Sequence, residues 1–222
     1  MITKRLLAAS EFVRDGAVFA DIGTDHAFLP IYLVTSGRVR SAVASDISPS
    51  SLSKARANIE KSGCSDIITT VLSDGLEKVI DFHPTDIAVC GMGGETIIRI
   101  LSACPSILDP SVRLILGPQS FVPDLRTFLQ DNGFGIIGES ICRERGRYDS
   151  FIAAQFGIKE PAYSGAELIL GRKNIENGSP ILREYASHEI EVLETKARGL
   201  NVSGRDASGV HKLIDSLREY AE

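Results

Sequence analysis

Four short stretches carry residue types that can do chemistry. Asp21-Ile-Gly-Thr-Asp-His26 closes one apolar run, Asp46 closes the next, Ser73-Asp74-Gly75 follows a third, and Gly91-Met-Gly-Gly94 follows a fourth. Asp21, Asp25, Asp46 and Asp74 offer acceptors and negative charge, while Gly23, Gly75, Gly91, Gly93 and Gly94 let a ligand approach the backbone closely. A dinucleotide-binding loop needs three glycines, as G-x-G-x-x-G. Here Asp25 occupies the second glycine position and the third is absent, so a pyrophosphate would meet a carboxylate. A cationic ligand without phosphate suits these residues better. Plain strand-to-helix turns with polar caps use the same residue types, and that reading stays open for each stretch.

S-adenosylmethionine (SAM) is such a ligand: a nucleoside with a sulfonium and an ammonium and no phosphate. Asp46 stands where nucleoside-binding α/β folds place an acid that accepts from both ribose hydroxyls. Asp74 is placed to accept from an adenine amino group. Asp-Gly is also a common turn signal, but three acids after three successive strands weigh more together than singly. His26 reads as a hydrogen-bonding loop residue rather than a general base.

The elements that must hold these residues are legible in the pattern. Strands are expected at Ala17–Ile22, Ala42–Asp46, Ile67–Leu72, Asp86–Cys90, Val112–Leu116, Gly135–Ile141 and Ser150–Phe156. Helical spacing between them marks a parallel sheet with crossover helices. Ser48-Pro49 caps one helix, Leu52, Ala55 and Ile59 form its inward face, and Gly63 ends it. Cys142–Asp149 is too short for a crossover, so the last two strands are expected to pair antiparallel. After Pro161 the pattern turns helical. One helix opens at Ser179-Pro180 and runs through Leu200, a turn covers Asn201–Gly209, and a second helix follows. The expected division is residues 1–158 for the α/β unit and 159–222 for a small helical hairpin.

Composition bounds the rest. The chain has 222 residues and a net charge of −5, acidic on both sides of Ile158, which argues against nonspecific nucleic-acid binding through a broad basic surface. The four cysteines are scattered, with no metal-ligand spacing, and read as thiols of a reducing compartment. No metal is expected. Without a long apolar run the expected location is the cytoplasm.

Taken together, D-I-G-T-D-H-A-F-L-P at Asp21–Pro30, the acid at Asp46, S-D-G-L-E at Ser73–Glu77 and G-M-G-G-E-T-I at Gly91–Ile97 resemble the TrmK-type tRNA (adenine-22-N1)-methyltransferases. The resemblance runs from Thr3 to Phe156 and more loosely into the tail. It implies a Rossmann-like class I methyltransferase fold: a mostly parallel seven-stranded sheet with one antiparallel strand. It also implies SAM as cofactor and bacterial tRNA as substrate. Asp21, Gly23, Asp25, His26, Asp46, Asp74, Gly75 and Gly91–Gly94 would then line the SAM site. Met92, Gly93 and Gly94 with Asp25 would stand nearest the target base, which must be unpaired or flipped out to expose N1. Tyr148, matching a tyrosine of the family, and Phe121 are candidates for stacking on it, with core packing as the open alternative.

Where the family reads Q-P-N after the fifth strand, this chain reads Gly117-Pro118-Gln119-Ser120. Arg143, Arg145 and Arg147 form a candidate tRNA contact. Lys4, Arg5, Arg172, Lys173, Arg183, Lys196 and Arg198 would extend it across the tail, unless these are ordinary solvated charges. The alternative function is SAM-dependent methylation of a small molecule or another RNA. A nicotinamide-dependent oxidoreductase, or a noncatalytic nucleotide-binding module, is the third reading.

Overall fold

The computed structural model describes residues 2–222 and forms a seven-stranded sheet with helices on both faces. In chain order the elements are α1 (Lys4–Ser10), β1 (Ala17–Ile22), α2 (Phe28–Thr35), β2 (Val39–Asp46), α3 (Pro49–Lys61), β3 (Ile68–Leu72), β4 (Asp86–Met92) and α4 (Gly94–Ser102). There follow β5 (Arg113–Pro118), α5 (Val122–Asp131), β6 (Phe134–Glu144), β7 (Arg147–Phe156), α6 (Gly165–Leu170), α7 (Arg172–Glu176), α8 (Leu182–Val202) and α9 (Ser208–Ala221). The sheet order is β3-β2-β1-β4-β5-β7-β6, and β7 alone runs against the others. This is the fold class that the family resemblance implies.

Alternation along the strands builds two cores, because successive side chains point to opposite faces. Phe19, Ala42, Ala44, Ala88 and Ile115 pack on Leu29 and Leu33 of α2 and on Ala55 and Ile59 of α3. Ala20, Ile87, Val89, Leu114 and Leu116 pack on Ile97 and Ile100 of α4 and on Leu125 and Leu129 of α5. Each fully buried Leu or Ile contributes about 1.5–3 kcal/mol. That double burial fixes the C-terminal edge of β1–β5 as the place where loops are free to carry function.

Ser48 caps α3 by accepting from the Ser51 amide at 3.3 Å, with Pro49 at the first helical position. The strands at the far edge are longer than the sequence pattern suggests. β6 and β7 continue through the segment read as a connection, and only Arg145-Gly146 turns the chain. Both residues have positive φ (51° and 81°), the twist that matches a tight hairpin. The pattern hides this because Arg143, Glu144, Arg147 and Asp149 are polar on both faces of the ribbon.

The tail also departs from expectation. α8 begins at Leu182 rather than at Ser179-Pro180, and α6 and α7 precede it. A capping box opens α6, with Ser164 and Glu167 each bonding the other's backbone, so its S-x-x-E signal was present. α6–α9 share a third apolar cluster that includes Ile141 of β6.

The tail is tied to the sheet by a buried ion pair. Arg126 Nε of α5 donates to Glu139 Oε1 of β6 at 2.7 Å, and both side chains are fully buried. Arg126 Nη1 also donates to the Leu168 and Ile169 carbonyls at 2.6 and 3.0 Å. Glu139 Oε2 accepts from the Lys173 amide at 2.9 Å. Among the described residues no helix is long and apolar enough to cross a membrane.

Candidate active site

The first loop is held to its neighbour strand by backbone bonds. Gly23 and Thr24 amides both donate to the Ser45 carbonyl, at 2.8 and 2.9 Å. Gly23 has φ +75°, and a Cβ there would collide with the Met92 methyl group. Asp25 and Ala27 also take left-handed conformations (φ 46° and 56°), which non-glycine residues adopt where surrounding structure or function demands it. Asp21 is buried at the end of β1, and Thr24 Oγ1 donates to its Oδ2 at 2.7 Å. Burial, opposed by the Thr24 hydrogen bond and aided by the nearby Asp46 charge, pushes the Asp21 carboxyl up to about 6.

Asp46 organises the β2 side of the loop. Its carboxylate accepts from the Asp25 amide at 3.2 Å and from the Ser48 amide at 2.8 Å. The Asp25 side chain points toward Lys54 (3.5 Å) and His26 (3.3 Å), and His26 stacks on Phe28. The structure therefore brings Asp25 together with Asp46, while Met92–Gly94 stand at the end of β4. Asp74, following β3, faces Arg99 of α4 at 3.6 Å, and Gly75 has φ +54° against Ile100.

At the end of β4 the glycine loop is locked onto the segment after β5. Gly94 N donates to the Ser120 carbonyl and the Gln119 amide donates to the Met92 carbonyl, both at 2.8 Å. A Cβ on Gly94 would stand 2.5 Å from the Phe121 carbonyl oxygen, so only glycine fits. Phe121 itself has φ 53° and is half exposed.

Three hollows open at this edge. A cleft of about 270 Å³ lies between α1 and the first loop, walled by Thr3, Arg5, Asp21, Gly23, Asp25 and His26. Beside it a cavity of about 510 Å³ is walled by Thr3, Arg5 and Gln119 and by Glu144, Arg145, Arg147 and Asp149 of the hairpin. A third hollow of about 340 Å³, toward α8, includes Phe121, Tyr148, Tyr185, His188 and Glu189. The Tyr148 ring lies 5.4 Å from Tyr185 and 5.0 Å from His188, with the Arg143 guanidinium 5.4 Å from its centre. Burial raises the Glu189 carboxyl above its usual range.

The hairpin splits the arginine cluster: Arg143 and Arg147 fall on opposite faces of the ribbon, and Arg145 sits in the turn between the strands. Arg143 pairs in register with Tyr148 and bonds Glu184 of α8 at 3.0 Å, whereas Arg145 and Arg147 face the cavity beside α1. Arg5, which the sequence marks only as part of a basic track, lies between the cleft and that cavity. Its Nη1 is 4.0 Å from Asp149 Oδ1 and 3.1 Å from Gln119 Oε1, in the amide orientation where Gln119 Nε2 donates to the Gly91 carbonyl at 3.3 Å. Arg172 is likewise no free contact residue: it bonds Glu167 at 2.6 Å and lies over the Tyr163 ring. The sequence does not mark Thr3, Gln119 or Asp149 as site residues, because nothing local in it folds α1 or the β6–β7 hairpin over this edge.

Comparison with known proteins decides the family. The family described as a methyltransferase domain matches residues 2–152. The tRNA (adenine(22)-N(1))-methyltransferase of Bacillus subtilis (strain 168) is 35% identical over 170 residues, spanning 77% of this chain and 71% of the relative. The chain belongs to the TrmK family. Solved TrmK-like structures match over the whole chain, so the similarity includes the tail. A Streptococcus pneumoniae protein in complex with S-adenosyl-L-methionine is 32% identical, with TM-score 0.87 and full coverage of both chains. M. capricolum TrmK in complex with S-adenosyl-homocysteine is 28% identical, with TM-score 0.85, covering 100% of this chain and 98% of that one.

Proposed function

We propose that this chain is a SAM-dependent methyltransferase that modifies N1 of adenine 22 in tRNA. The observation that carries the reading is the family relationship to the B. subtilis enzyme, joined to an acidic cleft that opens beside the β4 glycine loop. The cleft residues fit SAM: buried Asp21 and nearby Asp46 favour positive charge, and Asp25 fills the place where a pyrophosphate-binding loop keeps glycine. When bound, SAM supplies an electrophilic methyl group.

The chain's own residues then bind and align. Asp46 accepts from the ribose hydroxyls and Asp74 from the adenine amino group of the cofactor. Asp21 offsets the ammonium, and Arg5, the cation in this acidic cleft, takes the carboxylate. Gly23, Gly75 and Gly91 allow close backbone approach, and Asp25 and His26 close the rim. Met92, Gly93 and Gly94 border the reacting centre, where holding the target base in line with the methyl group supplies proximity. No general base is required, because the N1 lone pair attacks without losing a proton. Tyr148 and Phe121 offer aromatic surface to tRNA bases. Arg145 and Arg147, with basic residues of α8, contact phosphates.

Residues 1–158 carry cofactor and chemistry, residues 159–222 extend the RNA-binding surface, and the setting is the cytoplasm. Transfer of labelled methyl from SAM to unmodified bacterial tRNA, followed by nucleoside analysis, tests the reading. Formation of 1-methyladenosine at position 22 is the expected result. SAM binding with no transfer to any tRNA would move the substrate to a small molecule or another RNA.

A further inference from the structure

The cleft and the larger cavity beside it share two wall residues, Thr3 and Arg5. We propose that this second cavity receives the target nucleotide and that Asp149 recognises the exocyclic amine of its adenine. The inference rests on the tRNA-adenine reading above and names the residue that selects the base.

Position comes first. Gln119, a wall residue, is bonded through its backbone to Met92 at 2.8 Å, so the cavity abuts the end of β4 as well as the cofactor cleft. A base held there is next to both. Size agrees: about 510 Å³ exceeds what a purine needs and leaves room for sugar and phosphate. Arg145 and Arg147 on the same wall supply cations for that phosphate, while Glu144 is turned toward the Lys4 amide at 3.3 Å.

Asp149 is the acceptor placed to read the base. Its side chain is 19% exposed, and Arg5 Nη1 stands 4.0 Å away, beyond hydrogen-bond length. Among the described residues no donor bonds its carboxylate, so its lone pairs are free for a ligand. Burial raises its carboxyl, and Arg5 opposes that shift by favouring the charged form. Adenine presents an amino group at position 6, where guanine presents a carbonyl oxygen. A carboxylate facing that position attracts the first and repels the second.

The same contact acts on the reaction. As N1 uses its lone pair to form the N1–methyl bond, the S–methyl bond breaks and its electron pair stays on sulfur. No proton leaves the base, and positive charge spreads over N1, C6 and N6. A hydrogen bond from N6 to Asp149 therefore strengthens in the transition state, which is the kind of contact that raises rate rather than affinity alone.

The test compares full-length tRNA carrying adenine or 6-deaminoadenine at the target position, in single turnovers at saturating SAM. Wild-type protein should methylate the amine-less base roughly 100-fold more slowly, the scale of losing one charge-stabilising hydrogen bond. D149A should slow on adenine by about as much and close the gap between the two substrates to within about threefold, while the isosteric D149N, which keeps an acceptor but not the charge, should fall between D149A and wild type. The thermal midpoint of the variants should stay near wild type, and their SAM affinity should not fall, since Arg5 is freed from Asp149 rather than lost. A variant that keeps the full wild-type gap overturns the assignment of Asp149 alone, as does loss of SAM binding that accounts for the slowing. Absence of transfer by wild-type protein to the adenine tRNA overturns the tRNA reading and this assignment with it.

Discussion

Asp21 and Asp46 sit one strand apart and answer to different physics. Asp21 is buried, and its carboxyl is pushed up to about 6 from an ordinary value of 3.8. The folded chain therefore holds a proton there that the unfolded chain has lost. Its contribution to stability falls as pH rises between those values and is constant above them. Binding of a cation has the opposite sign, because it favours the charged carboxylate. SAM affinity should rise as pH climbs from about 5 to about 7, and Asp21→Asn should flatten that slope in calorimetry. An unchanged slope would remove Asp21 from the ammonium site.

Asp46 already holds the Asp25 and Ser48 amides, so Asp46→Ala loses loop geometry along with an acceptor. A rise in SAM Kd of roughly tenfold or more is expected, on the scale of hydrogen bonds to a charged group. Equal affinity in calorimetry would refute the ribose assignment. Both aspartates are visible in the sequence as acids at strand ends. Arg5 and Asp149 are not, since their roles depend on α1 and β7 meeting across more than a hundred residues of chain.

Among the elements, those whose residues alternate or repeat on an apolar face are legible. β1 has the bounds the pattern gives, and the inward face of α3 is the one expected. The hairpin end of β6 and β7 is not, because backbone pairing there is carried by charged residues and set by the Arg145-Gly146 turn. The helices α6 and α7 are too short to carry a sustained apolar repeat of their own: α6 has a local capping box, but what docks both of them is tertiary. Arg126 and Glu139 hold them through carbonyls and an amide that no local pattern shows. Arg126→Ala leaves Glu139 buried without its partner and should cost about 3–5 kcal/mol in denaturant unfolding. The double substitution Arg126→Met with Glu139→Leu should recover part of that loss. It removes both buried charges but leaves the Leu168 and Ile169 carbonyls and the Lys173 amide without these partners. A single variant that unfolds like wild type would show the pair to be energetically idle.

At the scale of the whole molecule, an acidic chain binds a polyanion only through local basic surface. The two faces of the β6–β7 ribbon give its arginines different work. Replacing Arg145 and Arg147 together by Gln should lower the slope of log Kd for tRNA against log salt by roughly one for each phosphate no longer neutralised. Arg143→Gln should leave that slope unchanged, because Arg143 is engaged with Glu184 and Tyr148. Filter-binding titrations across salt concentrations decide the matter, and equal slopes for the double variant and wild type would clear the hairpin from the footprint.

Two hollows divided by one arginine cannot fill independently. While Arg5 leans toward Asp149 and Gln119 it is less available to a carboxylate in the neighbouring cleft, and a carboxylate there draws it away from Asp149. Occupancy on either side thus changes the free energy of occupancy on the other, by the same amount in both directions. Cofactor and RNA should bind with a measurable heterotropic coupling, and Arg5→Ala should uncouple them even where each still binds alone.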